Sequence, residues 1–149
     1  MKIGEAAQRS GVSAKAIRYY ESVGLMPAPA RQSNAYRDYA LADLERLRFI
    51  HRARRLGFAV PEVAELLALW QDRERASATV KTLALAHIAT IEARMADLAA
   101  MKQVLQTLAG RCHGDERPEC PILATLAGDE AFPADPAAQP VVEVRGALE

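Results

Sequence analysis

The sequence is poor in cysteine and histidine, and it has no long apolar run. Of its 149 residues, 2 are cysteines and 3 are histidines. No apolar stretch approaches the roughly 20 residues that cross a bilayer, so we expect no membrane partner. The first residues also lack the apolar segment of a secretory signal peptide. We therefore expect a cytoplasmic protein, in which thiols stay reduced and a structural disulfide is not favoured.

The formal net charge is zero, yet the charges are unevenly divided along the chain. Residues 1–60 carry 11 Lys and Arg against 5 Asp and Glu, while residues 61–149 carry 8 against 14. A basic head beside an acidic remainder is typical of a nucleic-acid-binding end joined to a second function. An ordinary uneven surface is the alternative that charge alone leaves open. No nucleophile–base constellation or phosphate loop is evident, so we do not expect an enzyme.

Apolar periodicity and turn residues predict a mostly α-helical chain. Two short helices, 3–9 and 14–23, are separated by a turn at Gly11, and Ser13 is the expected N-cap of the second. This arrangement matches a helix-turn-helix. Residues 35–39 then alternate enough to form a short strand, which predicts a β-wing.

Three further helices are predicted after the wing. Those at 42–56 and 61–70 complete the head, and the longest one, 78–109, begins after Ser77 as its N-cap and ends at Gly110. Apolar residues recur along the longest helix at intervals of three and four: Ile88, Ile91, Met95, Leu98, Met101, Leu105 and Leu108. Such a stripe predicts packing against another helix, and a second copy of the chain is its expected partner.

Both cysteines, Cys112 and Cys120, lie in one loop between the long helix and a predicted short helix at 121–126. Soft thiolates in such a loop favour Cu(I), whereas a structural zinc site needs four ligands. The loop offers one histidine, His113. Cys120 is the expected N-cap of the short helix, a position that favours the thiolate form. A thiol-redox switch formed by the two cysteines is the alternative.

The chain is therefore expected to have four parts. They are a winged helix-turn-helix DNA-binding domain (1–70), a linker and dimerisation helix (71–110), a metal-binding loop with a short helix (111–128), and a tail (129–149). The tail is rich in proline, alanine and acidic residues, which predicts disorder.

Several motifs together resemble the MerR family of transcription regulators. They are Ile3-Gly4-Glu5-Ala6-Ala7, Arg18-Tyr19-Tyr20-Glu21 and Tyr36-Arg37-Asp38-Tyr39, and the resemblance extends to about Leu126. It implies a winged helix-turn-helix head and a homodimer built on an antiparallel coiled coil. It also implies that the protein binds double-stranded promoter DNA with an overlong spacer, distorts it when an effector binds, and acts with RNA polymerase at the promoter.

The later part of the chain is similar to the copper-efflux regulator branch of that family, which senses Cu(I), Ag(I) and Au(I). The resemblance implies a transcriptional activator of copper-efflux and detoxification genes with Cys112 and Cys120 as metal ligands. Ser77 and Lys81 are expected near the loop of the other subunit, where Lys81 offsets its negative charge. Relatives that sense divalent ions have a cysteine at the position of Ser77, and its absence here argues against Zn(II), Cd(II) and Hg(II).

The resemblance also supplies the expected DNA contacts. The second helix is expected to enter the major groove, with the wing and the end of the third helix on the phosphate backbone. Most of these contacts position the protein and do not read the base sequence. The residues expected at the DNA are Ser13, Lys15, Arg18, Tyr19, Tyr20, Tyr36, Arg37 and Arg54.

Overall fold

A computed structural model describes residues 1–28 and 37–133. Within them the chain forms helices at Ile3–Ser10 (α1), Ala14–Ser22 (α2), Leu41–Arg55 (α3), Val60–Gln71 (α4), Ser77–Arg111 (α5) and Pro121–Leu126 (α6). Each predicted helix is present with ends within two residues of the expected ones, so the mostly helical class is confirmed. The chain divides into two compact units, Met1–Leu85 and Ala86–Glu149. Most of the predicted tail lies outside the described residues.

The predicted strand of the wing lies partly outside the described residues. Tyr36 and the residue before it belong to the part that is not described. Arg37 forms an isolated bridge, and residues 38–40 have no regular structure. The described part of the chain therefore contains no strand, and the wing itself remains a prediction.

The helix-turn-helix forms where the turn chemistry predicts it. Gly11 has φ 78°, and its N–H donates to the Ala7 carbonyl at 3.0 Å, which ends α1. This left-handed backbone conformation favours glycine because it has no Cβ. Ser13 then caps α2, since its hydroxyl oxygen accepts the Ala16 N–H at 3.1 Å. The short turn between the two helices is thus fixed at both of its ends.

Acidic side chains begin the next two helices. Asp43 accepts the N–H of Ala40 at 2.9 Å at the start of α3, and Glu62 accepts the N–H of Ala59 at 3.0 Å at the start of α4. Each carboxylate satisfies a backbone donor that has no partner within its helix and faces the positive end of the helix dipole. Gly57, with φ 87°, follows the end of α3. The α3–α4 turn is therefore defined by local chemistry.

The N-terminal unit has one apolar core. α1 packs against α2 and α3, and α3 packs against α4. Phe49 and Trp70 add a stacked ring pair between α3 and α4, with centroids 4.7 Å apart and planes 11° apart. The core consists of Ala6, Val12, Ile17, Leu25, Met26, Tyr39, Leu47, Ile50, Ala53, Phe58, Val63 and Leu67.

The ends of α5 differ slightly from the prediction. Ser77 is the first residue of the helix and not its N-cap. The carbonyl of Ala76 accepts the Thr79 N–H at 3.1 Å, which extends the first turn by one residue. Gly110 does not end the helix, which continues to Arg111. Gly110 keeps a negative φ, so the helix passes through it. None of the described helices has the length and apolarity needed to cross a membrane.

The apolar stripe of α5 is largely uncovered in the single chain. Met95 is 63 % exposed and Leu98 is 62 % exposed, and most of the other stripe residues are similarly open. Leu108 is the exception, because it is buried. Apolar side chains aligned in this way on a 35-residue helix are typical of an interface between helices.

Replacing Leu98 by glutamate should convert the protein from a dimer to a monomer, because a charge buried in a helix–helix interface lacks a partner. Sedimentation equilibrium measures the change in mass directly. Gln103→Glu is the matched control, since residue 103 is also exposed on α5 but lies off the stripe. A Leu98→Glu protein that stays dimeric would show that this stripe is not the interface.

Candidate DNA-binding surface and thiol site

α2 presents a basic face to solvent. Ile17 is fully buried against the core, whereas Lys15, Arg18 and Tyr19 are exposed. Within residues 1–28 and 37–133, the side chains of Lys15 and Arg18 make no hydrogen bond or ion pair. Both cations are therefore available to an external anion such as a DNA phosphate. The structure brings these three predicted residues together on one surface.

The other two predicted residues of this region have local structural roles. Ser13 uses its hydroxyl oxygen as the N-cap of α2, as described above. Tyr20 is half-buried and packs against the core, with its ring 5.8 Å from that of Tyr19. Its carbonyl accepts the N–H groups of Leu25 and Met26 at 2.9 and 3.1 Å. Tyr20 therefore shapes the turn after α2.

Arg37 is tied to α2 by an ion pair. Its guanidinium donates to Glu21, whose other carboxylate oxygen accepts the Tyr39 hydroxyl at 2.5 Å. Tyr39 is buried, and its pKa is raised to about 12, first by burial and then by the hydrogen bond to Glu21. Tyr39 thus keeps its proton and remains a donor. Tyr36, the neighbouring predicted contact, lies outside the described residues.

Several arginines of the basic head hold backbone carbonyl groups. Arg54 donates to the Phe58 carbonyl at 2.9 Å and so closes the α3–α4 turn. Arg46 donates to the Leu25 carbonyl at 2.6 Å. Arg48 donates twice to the Arg9 carbonyl, at 3.2 and 3.1 Å. Counting positive charges could not separate these structural arginines from those that face solvent. Part of the basic excess therefore stabilises the fold.

The two cysteines lie at the ends of two helices. Cys112 follows the last residue of α5, and its N–H donates to the Ala109 carbonyl at 3.2 Å. Cys120 is the N-cap of α6, and Pro121 is the first residue of that helix, as predicted. Both thiols are free and half-buried. They share a short loop that an ion with two ligands would close.

The thiol of Cys120 is acidified by its surroundings. Its pKa is lowered, first by a hydrogen bond from the backbone N–H of Leu123. Burial opposes this effect, and hydrogen bonds from the Ile122 amide and the Cys112 thiol lower the pKa further. The two cysteine side chains thus influence each other, and both belong to the one loop between α5 and α6. Their binding of one ion stays a prediction.

The other polar residues of the loop do not join this pair. Asp115 accepts the Arg117 N–H at 2.9 Å and its side-chain Nε at 2.8 Å. His113 is exposed to solvent. In the described parts of the chain, no three His, Cys, Asp or Glu side chains form a group that could hold a metal.

Ser77 and Lys81 are exposed at the start of α5, one turn apart. They belong to the N-terminal unit, whereas the cysteines belong to the C-terminal unit. Their approach to the thiol loop of a second subunit stays a prediction.

Sequence reasoning missed Thr125 in α6. It is fully buried, and its hydroxyl has no hydrogen-bond partner among the described residues. A threonine in a short helix next to a loop gives no sequence signal that separates a buried position from an exposed one.

These features define a class of protein: a helix-turn-helix DNA-binding regulator that carries a two-thiol site after a long helix. Two family models match the head and most of the long helix, and both end before the thiol loop. The model of MerR helix-turn-helix regulatory proteins matches residues 1–70, and the MerR DNA-binding model matches residues 44–108. The chain belongs to the MerR family of transcription regulators. Members of this family bind promoter DNA as dimers and contact RNA polymerase.

The relatives include proteins named for metals. Heavy metal-dependent transcription regulator 2 of Rhizobium meliloti is 52 % identical over 131 residues, which are 88 % of this chain and 89 % of the relative. The regulator CueR of Yersinia pestis is 42 % identical over 128 residues, which are 86 % of this chain and 92 % of the relative. The crystal structure of PbrR691 from Ralstonia metallidurans in complex with lead(II) matches with a TM-score of 0.72 and 36 % identity. The match covers 85 % of this chain and 98 % of PbrR691. The names refer to heavy metals in general and, for the crystal structure, to lead(II).

Proposed function

We propose that this protein is a cytoplasmic, homodimeric, metal-responsive transcriptional activator that senses Cu(I), and also Ag(I) and Au(I), to control copper-efflux and detoxification genes. The observation that carries the proposal is the pair of free thiols, Cys112 and Cys120, at the two ends of the loop between α5 and α6. The family and the metal-named relatives support the regulatory part. The choice of ion rests on the chemistry of the two ligands.

Two thiolates suit a monovalent soft ion better than a divalent one. Soft sulfur ligands select Cu(I), while Zn(II) is almost always bound by four ligands. The chain supplies two cysteines in all, and Ser77 stands where divalent sensors are expected to have a third. A monovalent ion held by the Cys112 and Cys120 thiolates would leave one net negative charge. Lys81 of the second subunit is the residue that we expect to offset it.

The two cysteines are placed to couple the loop to α6. Cys112 follows α5 and Cys120 begins α6, so a fixed distance between the two sulfurs restricts the start of α6. Leu123 and Leu126 are 65 % and 64 % exposed in the single chain. We propose that this apolar face of α6 packs on the dimer when the thiol loop is closed. The head geometry then shifts, and bound DNA changes from an unproductive to a distorted form.

Such a distortion has an energetic requirement. Bending a promoter-sized duplex costs about 1–6 kcal/mol by elastic estimates, so the closed protein must bind the distorted form more tightly by a comparable amount. An in vitro transcription assay with an ion panel tests the proposal. We expect transcript to rise with Cu(I) or Ag(I) and not with Zn(II) or Pb(II). Activation by a divalent ion alone would overturn the choice of ion.

Replacing Arg18 by alanine should weaken binding to all duplexes, because we propose that its free guanidinium binds a phosphate. The dimer loses one phosphate contact from each subunit, so the slope of log affinity against log salt should become shallower by about 1.8, at about 0.9 for each contact. Fluorescence anisotropy at several salt concentrations measures both quantities. Arg73→Ala is the control, since Arg73 is exposed beyond the end of α4. An unchanged affinity and slope for Arg18→Ala would remove Arg18 from the interface.

A thiol-redox regulator is the second candidate. The position of both free cysteines in one short loop favours it, because two thiols that can reach each other form a disulfide when an oxidant is present. A disulfide would close the same loop without an ion. Full, reversible activation by a dithiol–disulfide couple in metal-free buffer would support this candidate over the metal sensor.

A further inference from the structure

A paired carboxylate lies within the basic head. The Glu21 side chain is 7 % exposed, and it accepts hydrogen bonds from Arg37 and Tyr39. A carboxylate beside a DNA-binding surface repels phosphates, and burying one is costly unless it is paired. The Glu21 charge alone would therefore weaken DNA binding. Its presence is explained if the carboxylate also holds a group that binds DNA.

The location of Glu21 suggests which group that is. Glu21 follows Arg18 by three residues on α2, so the two side chains are neighbours on the helix surface. Glu21 therefore ties the Arg37 guanidinium to the same helix that carries the exposed Arg18. Arg37 uses its NH1 group for Glu21, and its side chain is still 36 % exposed. A guanidinium has N–H donors besides the one that Glu21 uses, and these can serve a second anion.

We propose that Glu21 is a positioning residue for DNA binding, whose carboxylate holds Arg37 so that the remaining N–H donors of the guanidinium bind a DNA phosphate. The inference rests on the proposed DNA-binding role of the head. An arginine suits this bridging role because its planar guanidinium can bind two anions along different edges. A lysine ammonium has no such fixed geometry.

Two other contacts make the role of Glu21 specific. Tyr39 donates its hydroxyl to the second carboxylate oxygen, which prevents the carboxylate from rotating away from Arg37. The backbone beside Arg37 is held independently, because the Tyr39 N–H donates to the Met1 carbonyl at 2.8 Å. Removing the carboxylate should therefore release the guanidinium without unfolding the segment that carries it.

The sign of a charge-removing substitution tests the proposal. Glu21→Gln and Glu21→Ala remove a negative charge near DNA, which by simple electrostatics should tighten binding. We expect the reverse, with affinity reduced roughly tenfold by Glu21→Ala and less by Glu21→Gln, which keeps an acceptor. Glu45→Gln removes the same charge from an exposed site on α3 and should leave binding unchanged or slightly tighter. Equal or tighter binding by both Glu21 variants would overturn the proposal.

A double-mutant cycle separates positioning from a general effect on folding. If Glu21 acts through Arg37, Glu21→Gln should change affinity less than about twofold in an Arg37→Gln background. Independent, additive losses would overturn the proposal. Arg37→Lys keeps the positive charge but loses the planar guanidinium, so it should still weaken DNA binding. Wild-type affinity in that variant would contradict the claim that the guanidinium must be oriented by Glu21. Absence of DNA binding by the wild-type protein would instead contradict the proposed function itself.

Discussion

Replacing either Cys112 or Cys120 by serine should abolish metal-dependent activation and leave DNA binding at wild-type strength. A serine hydroxyl is a hard, neutral donor that does not replace a thiolate on a soft ion. Because even outer residues around a metal typically change affinity 10–100-fold, losing one of two ligands should weaken Cu(I) binding by more than about 100-fold. In vitro transcription measures activation, and anisotropy with a duplex selected by the wild-type protein measures DNA binding.

The two serine variants have a matched control in the same loop. His113→Ala alters the residue next to Cys112, which is exposed and is not grouped with the thiols. It should retain activation and Cu(I) binding. A His113→Ala protein as defective as the serine variants would mean that the loop uses a third ligand. Loss of DNA binding in the serine variants would show that the thiols support the head and not only the response.

Replacing Ser77 by cysteine should extend the response to divalent ions. The substitution exchanges one oxygen for sulfur at an exposed position in the first turn of α5, so the fold should be unaffected. If Ser77 approaches the thiol loop of the second subunit, the site gains a third thiolate and enough negative charge for Hg(II) or Zn(II). We expect affinity for these ions to rise by more than about 100-fold, by analogy with the ligand effect above. Competition against calibrated chelators measures it.

Thr79→Cys is the control for this gain of function. Thr79 is exposed two residues further along α5, where the helical period directs its side chain away from the Ser77–Lys81 face. It adds the same thiol at a different angle and should leave divalent affinity unchanged. Equal gains in the two variants would mean that any added thiol binds the ion. No gain from Ser77→Cys would remove Ser77 from the neighbourhood of the site.

Much of the fold could be predicted because its signals are local. The Gly11 turn, the Ser13 cap and the position of Cys120 before Pro121 depend on residues within one turn of each other, and all three are present. The long apolar stripe predicted α5 equally well. The predicted start of α5 is wrong by one residue and its predicted end by two, because the end of a helix depends on small differences in hydrogen bonding.

The candidate sites were predicted less completely because they depend on contacts between distant residues. Arg37 and Glu21 are separated by 16 positions, and no periodicity or motif indicates that they pair. Arg54 was expected to contact DNA, and its side chain donates a hydrogen bond to the Phe58 carbonyl, which the sequence did not predict. In contrast, the two cysteines are close in sequence, so the chain itself keeps them in one loop between α5 and α6, as predicted.

The most direct test of the central claim is an anaerobic competition titration of Cu(I) and Zn(II) against calibrated chelators, with the Cys112→Ser protein measured in parallel. A two-thiolate monovalent sensor predicts tight Cu(I) binding that is lost in the variant and that Zn(II) does not match. Weak binding of both ions, or equal binding of both, would contradict the metal-sensing account and leave the thiol-redox regulator as the better explanation of the cysteine pair.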